Sequence, residues 1–221
     1  MLILPAKTLF LARRPALVAA AGITFVGSAS DNVINGGTTV LDVSGLGLAQ
    51  NDILLVFNVS SAGTPAAPSG YTSVNGSTSV YYKIQTSTPD TSVSFWDSGG
   101  NGDAAAALGI AFRGVSTTTP LDVTSTTSTS IDPPSITPAS NDCCILVFTL
   151  SAVVDGSPGT ISGYAHPTPH TITADDSAAD ITVAMGYRIL TGGAGVPENP
   201  AAWSDLSSNL PGSRTIALRP A

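Results

Sequence analysis

The sequence contains two copies of one pattern of strands and turns, in the same order along the chain. The segment 51–60 recurs as 141–151, and the turn Ser69-Gly70-Tyr71 recurs as Ser162-Gly163-Tyr164. Three further matches follow: Tyr82-Lys83-Ile84 with Tyr187-Arg188-Ile189, Trp96-Asp97 with Trp203-Ser204-Asp205, and 110–114 with 216–220. We therefore divide the chain into a first copy, about residues 21–115, and a second copy, about residues 116–221. The matched residues are those of strands and turns, and no set of catalytic or ligand-binding residues is evident in both copies.

Nearly every apolar segment is short, rich in Val, Ile, Thr or aromatic residues, and bounded by Gly, Pro, Asn or Asp, which is the pattern of β-strands. In the first copy this pattern predicts strands over 23–27, 38–43, 53–59, 71–74, 79–85, 92–96 and 106–112. In the second copy it predicts strands over 130–136, 143–150, 171–174, 181–190 and 214–218. One short helical turn is predicted over 200–206.

Two of the predicted strands are apolar at every position, over 53–57 and over 143–148. Because successive side chains of a strand point to opposite faces, we expect both to be central strands that are covered on both sides. Regularly spaced short strands are typical of β-sandwiches. We therefore predict an all-β fold, a jelly-roll-like β-sandwich with an internal duplication. One large sandwich is the favoured interpretation, and two small sandwiches are the alternative.

The charges are unevenly distributed along the chain. Lys7, Arg13 and Arg14 occur in the first fourteen residues, whereas all fifteen acidic side chains occur from Asp31 onward, together with five basic ones. The N-terminal segment therefore carries +3 and the rest of the chain −10. Binding to nucleic-acid phosphates needs clustered Lys and Arg, so no nucleic-acid partner is predicted. We predict that residues 1–20 form an extended docking arm, with these contact residues: Leu4, Lys7, Phe10, Arg13 and Arg14.

A secretory signal is the alternative interpretation of the same segment. Residues 15–27 after Arg13-Arg14 are mostly apolar, and residues 27–30 have the small side chains of a cleavage site. The apolar residues that precede the arginines favour the docking arm. No run of about 20 apolar residues without a charge occurs, so no membrane span is predicted.

Neither a metal centre nor a catalytic site is predicted. Cys143 and Cys144 are adjacent in a strand and should point to opposite faces, and His166 and His170 lack the spacing of a structural zinc site. The segment 159–163 is one residue away from the Gly-x-Ser-x-Gly motif of hydrolases, and no strand-to-helix turn follows it. We therefore predict a protein that is not an enzyme and that uses no cofactor.

Two ligand-binding hypotheses remain open. Oxygen-bearing side chains of the kind that bind Ca²⁺ lie in one glycine-rich loop and in one acidic cluster: Asp97, Asn101 and Asp103, and Asp175, Asp176 and Asp180. The alternatives are a hairpin turn built on Asn101-Gly102 and a solvated cluster. Aromatic residues that could bind a glycan are Tyr71, Tyr81, Tyr82, Tyr164, Trp96 and Trp203. Because the two tryptophans occupy matching positions in the copies, core packing is the favoured interpretation for them.

Five segments of the first copy form a further pattern. They are Phe-Val-Gly-Ser-Ala-Ser at 25–30, Asn-Asp-Ile-Leu-Leu-Val-Phe at 51–57, Pro-Ser-Gly-Tyr at 68–71, Tyr-Tyr-Lys at 81–83 and Phe-Arg-Gly-Val at 112–115. Their order resembles a β-sandwich family that is common in tailed-phage and prophage structural proteins. Members usually have Gly-Asp before the apolar strand and Trp after Pro-x-Gly, where this chain has Asn51 and Tyr71. The resemblance covers about residues 23–116, and it implies a virion-associated or tail-associated role without catalytic residues.

These observations together predict a non-enzymatic virion structural protein, such as a capsid decoration, fibre-base, neck or tail component. Its expected partners are other virion proteins and further copies of itself, bound through the arm and the sandwich surface. The alternative is a secreted carbohydrate-binding or adhesin module, for which the arm would be cleaved and aromatic side chains would be exposed on one face.

Overall fold

The computed structural model describes residues 22–34, 36–61, 63, 65–95, 103–151, 159–175, 180–204 and 212–221. The strands of the first copy are β1 (Thr24–Val33), β2 (Thr39–Asp42), β3 (Ile53–Ser60), β4 (Thr72–Ser73), β5 (Val80–Ile84), β6 (Ser92–Phe95) and β7 (Ala105–Arg113). Those of the second copy are β8 (Leu121–Thr124), β9 (Cys144–Ser151), β10 (Thr171–Asp175), β11 (Asp180–Ile189) and β12 (Gly212–Leu218). A 3₁₀ helix at Ser44–Leu46 follows β2. Among the described residues, no helix is long and apolar enough to cross a membrane.

Each copy builds its own five-stranded antiparallel sheet. The strand order is β1-β7-β3-β5-β4 in sheet one and β8-β12-β9-β11-β10 in sheet two, while β2 and β6 pair separately. If the five strands of each sheet are numbered from 1 to 5 along the chain, both sheets have the same order, 1-5-2-4-3. The prediction of an all-β sandwich with an internal duplication is therefore confirmed. Each copy contributes one of the two large sheets, and the first copy adds the separate β2–β6 pair.

The strand register supports the residue matches at the ends of the copies. Ile53 lies opposite both Ile84 and Phe112 in sheet one. Cys144 lies opposite both Ile189 and Leu218 in sheet two. The matches of 82–84 with 187–189 and of 110–114 with 216–220 follow directly from these pairings.

The match at the start of the central strands needs a correction of one residue. The sequence pairs Asn51 with Asn141, but the residues with a left-handed backbone are Asn51, at φ 72°, and Asp142, at φ 58°. Asn and Asp tolerate this conformation better than other side chains with a Cβ. Asn51 is therefore equivalent to Asp142, and the turn geometry, not the residue type, identifies the equivalent position.

The inner faces of the two sheets bury one apolar layer between them. The centre of this layer is formed by Ile53, Leu55 and Phe57 of β3 and by Leu146 and Phe148 of β9. The ring centroids of Phe57 and Phe148 are 5.4 Å apart. Phe25 of β1 stacks on Tyr187 of β11 with a centroid distance of 5.1 Å. Because burial of one such side chain stabilises a fold by about 1.5–3 kcal/mol, contacts between the copies contribute to the stability of both.

The outer faces of the central strands are covered as well. Leu41 and Phe95 of the β2–β6 pair pack on the outer face of sheet one. Ile161 and Trp203, which lie in loops, pack on the outer face of sheet two. The predicted burial of both faces of the central strands is therefore confirmed.

Two predicted elements are wrong. The strand predicted over 130–136 is not formed, and β8 takes the edge position of sheet two instead. Pro133 and Pro134 lie in that segment, and a proline cannot donate a backbone hydrogen bond to a sheet. The helical turn predicted over 200–206 is absent from its described part, 200–204, where Ser204 forms a β-bridge to Thr160 instead.

Candidate functional site

A polar cluster that we call the first triad joins three parts of the first copy: Tyr71, Lys83 and Asp90. The Tyr71 hydroxyl donates a hydrogen bond to Asp90 Oδ2 at 2.9 Å, and Lys83 Nζ donates to Asp90 Oδ1 at 2.6 Å. The same ammonium lies 5.6 Å from the centre of the Tyr71 ring, within the range of a cation–π contact. The triad therefore ties the turn before β4 and the loop after β5 to strand β5.

The second copy contains the same arrangement, the second triad, formed by Tyr164, Arg188 and Glu198. The Tyr164 hydroxyl donates to Glu198 Oε1 at 3.1 Å, and Arg188 Nη1 donates to the same oxygen at 3.0 Å. Tyr164 and Arg188 are the repeat equivalents of Tyr71 and Lys83. A tyrosine, a cation and a carboxylate thus recur at equivalent places.

The electrostatics of the triads make them hydrogen-bonded clamps. Burial, reinforced by the charge of Asp90, raises the pKa of Tyr71, and burial together with Glu198 raises the pKa of Tyr164. Burial by itself would raise the pKa of Asp90, but hydrogen bonds from Lys83 and Tyr71 outweigh it and lower that pKa. Each phenol is therefore a protonated donor at neutral pH, and Asp90 is a charged acceptor.

Sequence reasoning missed the triads because only two of the three members occupy matched positions. Asp90 lies six residues after the end of β5, and Glu198 lies nine residues after the end of β11. The carboxylates come from loops of different length and differ in type. The sequence did contain one signal: a basic residue, Lys83 or Arg188, occurs one position before the end of β5 and of β11.

We expect Tyr71→Phe to lower the free energy of unfolding by about 0.5–1.5 kcal/mol, the net value of one hydrogen bond.

Asp90→Asn should lower the stability at neutral pH and flatten its decline with acid. Because the pKa of Asp90 is lowered in the folded protein, its contribution is present above the unfolded pKa and is lost as the pH falls through the folded pKa. Urea unfolding at several pH values measures both effects. Ser87→Ala, at an exposed position of the same loop, is the control. If the free energy of unfolding of Asp90→Asn ran parallel to that of the wild type against pH, the charge of Asp90 would not be the stabilising feature of the first triad.

The arginines that end β7 and follow β12 form a further equivalent pair. Arg113 makes two hydrogen bonds of 2.8 Å to the two carboxylate oxygens of Asp52. Arg219 Nε donates to Asp122 Oδ1 at 3.0 Å. Both carboxylates are buried, although they come from different elements of their copies. Most of the cations in the described part of the chain are thus bound to internal carboxylates.

The cysteines and histidines do not form a metal centre in the described part of the chain, which holds no group of three or more His, Cys, Asp or Glu placed to bind a metal. Cys143 and Cys144 are both buried and lie in the outer and inner apolar clusters, respectively, as expected from strand geometry. His166 packs edge-on against His170 and Trp203 with ring centroids 5.3 and 6.1 Å away. Burial, followed by the charge of His170, lowers the pKa of His166.

The calcium candidates lie partly outside the described residues. Asp97 and Asn101 of the first loop and Asp176 of the second cluster are not described. Asp103 is half-buried two residues before the start of β7, and its backbone carbonyl accepts a hydrogen bond from Gly36 N at 2.8 Å. Asp175 and Asp180 pair across the β10–β11 hairpin. The structure therefore leaves the calcium hypothesis as a prediction.

The described aromatic candidates are not arranged as an exposed glycan platform. Tyr81, Tyr164 and Trp203 are buried, with 5%, 8% and 2% of their surface exposed. Tyr71 and Tyr82 are half-buried, and Tyr82 packs against the inner layer. Trp96 lies outside the described residues, as do all five candidate residues of the docking arm.

The free side of β1 borders an open groove with polar residues. Within the described part of the chain, β1 pairs only with β7, so backbone groups along its other side have no strand partner. A groove follows this side, lined by residues 28–30 of β1, by residues 42 and 44–46, and by Pro169. At the far end of β1, Ile34 and Val40 expose 51% and 46% of their surface, and Val40 N donates to the carboxylate of Asp31. We call this surface the edge groove.

Comparison with known proteins gave no relatives: no protein-family model, no curated protein and no solved structure matches this chain.

Proposed function

We propose that the protein is a non-enzymatic structural component of a tailed-phage virion, in the capsid decoration, fibre base, neck or tail. Assembly occurs when the N-terminal arm of one subunit adds to the edge groove of a neighbouring subunit or of another virion protein. The observation that carries this proposal is the side of β1 that has no strand partner in the described part of the chain, together with its groove. The free edge of a strand is a ready template for an extended segment from another chain.

Charge and polarity support the arm as the occupant. The arm carries Lys7, Arg13 and Arg14, while Asp31 and Asp42 carry the carboxylates beside the groove. The apolar arm residues Leu4 and Phe10 match the exposed Ile34 and Val40 at one end of β1. Residues 1–21 precede the described part of the chain, and at about 3.3 Å per residue an extended segment of ten of them spans the length of β1.

The ion pairs that charged side chains form within the fold agree with this role. Both triads and both arginine–carboxylate pairs bind four cations and four carboxylates within the fold, and charged residues make up only 10% of the chain, so charges are sparse on the surface. Such a surface loses little solvation of charged groups when it contacts a neighbouring subunit.

The test is limited proteolysis with intact-mass measurement, on the free protein and on particles that contain it. We expect residues 1–20 to be present in both, to be cut in the free protein and to be protected in the particle. Reversal of the arm charges by Lys7→Glu, Arg13→Glu and Arg14→Glu should abolish incorporation, whereas Lys7→Arg, Arg13→Lys and Arg14→Lys should preserve it. A mature chain that begins near Ser30, stays monomeric and binds glycans would instead support the secreted module.

A further inference from the structure

Arg214 is a buried cation between the two sheets. It lies on β12 with 7% of its surface exposed, on the same face as the core residues Ile216 and Leu218. Its Nη1 donates to the backbone carbonyl of Val74 at 2.6 Å, and its Nη2 donates to Thr127 Oγ1 at 3.0 Å. Since Val74 belongs to the first copy, this guanidinium joins the two halves of the sandwich.

The described residues provide no negative charge to Arg214. Arg113, Arg188 and Arg219 each bind a carboxylate at 2.8–3.0 Å, but none of the described carboxylates forms an ion pair with Arg214. No described residue accepts a hydrogen bond from its Nε, which is buried. Burial disfavours the cation and lowers the pKa of Arg214, yet a guanidinium stays charged in proteins. A buried charge without a counter-charge costs several kcal/mol.

A small cavity adjoins this guanidinium. Its volume is about 20 Å³, and its lining includes Arg214, Thr127, Ser79, Phe57 and Phe148. This volume is sufficient for one water molecule or one monatomic ion. Because Thr127 Oγ1 already accepts a hydrogen bond from Arg214, its hydroxyl hydrogen is available to donate.

We propose that this cavity binds a single monatomic anion, chloride under ordinary conditions, held by Arg214 Nε and by the Thr127 hydroxyl. The anion supplies the counter-charge that the described residues do not provide. It thereby couples the packing of the two copies to the halide concentration. The site is distinct from the triads and from the edge groove, so it does not depend on the proposed assembly.

The test is thermal unfolding of the full chain at constant ionic strength, with sodium gluconate replaced stepwise by sodium chloride or sodium bromide. Gluconate is too large for the cavity. A ligand that binds only the folded state raises the melting temperature in a saturable way, by about 3–6 °C at ten times its Kd for a chain of this size. Arg214→Met should remove the halide effect, and Thr127→Val should weaken it. Arg188→Met, at a half-exposed arginine, should retain it.

A direct measurement keeps the proposal testable if Arg214→Met fails to fold. Crystals of the wild-type protein grown in bromide should show an anomalous peak beside Arg214 Nε. Equal melting temperatures in gluconate and halide, or crystals without that peak, would overturn the proposal. The rival explanation is a counter-charge from one of the four aspartates outside the described residues, which are Asp97, Asp155, Asp176 and Asp205. A wild-type protein that does not respond to halide, combined with strong destabilisation when one of these four is replaced by Asn, would show that a carboxylate of this chain compensates Arg214.

Discussion

Phe148→Ala is expected to lower the free energy of unfolding by about 3–5 kcal/mol, the usual cost of removing a buried phenylalanine. Phe148 has 1% of its surface exposed and lies in the layer that both sheets bury. Its ring contacts that of Phe57 across the sandwich, with centroids 5.4 Å apart. The substitution therefore leaves a cavity bordered by residues of both copies.

The form of the unfolding curve distinguishes one sandwich from two independent units. If the copies share their core, Phe57→Ala in the first copy and Phe148→Ala in the second should each shift one common transition, measured by calorimetry and by denaturant. The double variant should lose less stability than the sum of the single losses, because neighbouring side chains are coupled. Val196→Ala, at a residue with 60% of its surface exposed, should change the stability by less than about 0.5 kcal/mol. Two transitions, only one of which moves in each variant, would contradict a shared core.

The sequence predicted the central strands well because their signal is local. The run from Ile53 to Phe57 is apolar at every position, and no solvent-exposed strand tolerates such a run, so burial on both faces follows from strand geometry alone. The equivalence of the turns at Gly70 and Gly163 was also visible, since the αL backbone at φ 78° and 81° favours glycine. Both features depend on residues close together in the chain.

The features that the sequence did not predict depend on distant residues. Glu198 joins Tyr164 across 34 positions and Asp122 joins Arg219 across 97, and no short-range pattern indicates either partner. The edge strand β8 is short and includes Asp122, so its composition resembles that of a loop. The one-residue offset between Asn51 and Asp142 has the same origin. The equivalent residues are identified by the geometry of the turn and by the register of the neighbouring strands, and both depend on residues far apart in the chain.

Asp122→Ala is expected to lower the free energy of unfolding by about 1–3 kcal/mol, because it removes a buried carboxylate that accepts four hydrogen bonds and pairs with an arginine. The Asp122 side chain has no exposed surface. It accepts hydrogen bonds from Ala139 N at 2.6 Å, Ser140 N at 3.1 Å, Ser140 Oγ at 2.7 Å and Arg219 Nε at 3.0 Å. The carboxylate thus joins β8, the loop before β9 and the end of β12.

The pH dependence separates the charge of Asp122 from its volume. Burial by itself would raise the pKa of Asp122, but hydrogen bonds from Ser140 and Ala139, with that from Arg219, outweigh it and hold the pKa below its ordinary value of 3.8. A lowered pKa means that the stabilisation is present above the unfolded pKa and is lost as the pH falls through the folded one. Asp122→Asn, which keeps the volume, should therefore lose most at neutral pH and approach wild type in acid, as measured by urea unfolding from pH 7 to pH 2. Asp132→Asn, at an exposed aspartate of the same copy, should follow the wild-type curve. A constant difference between Asp122→Asn and wild type across this range would show that packing, rather than the buried charge, fixes the edge of sheet two.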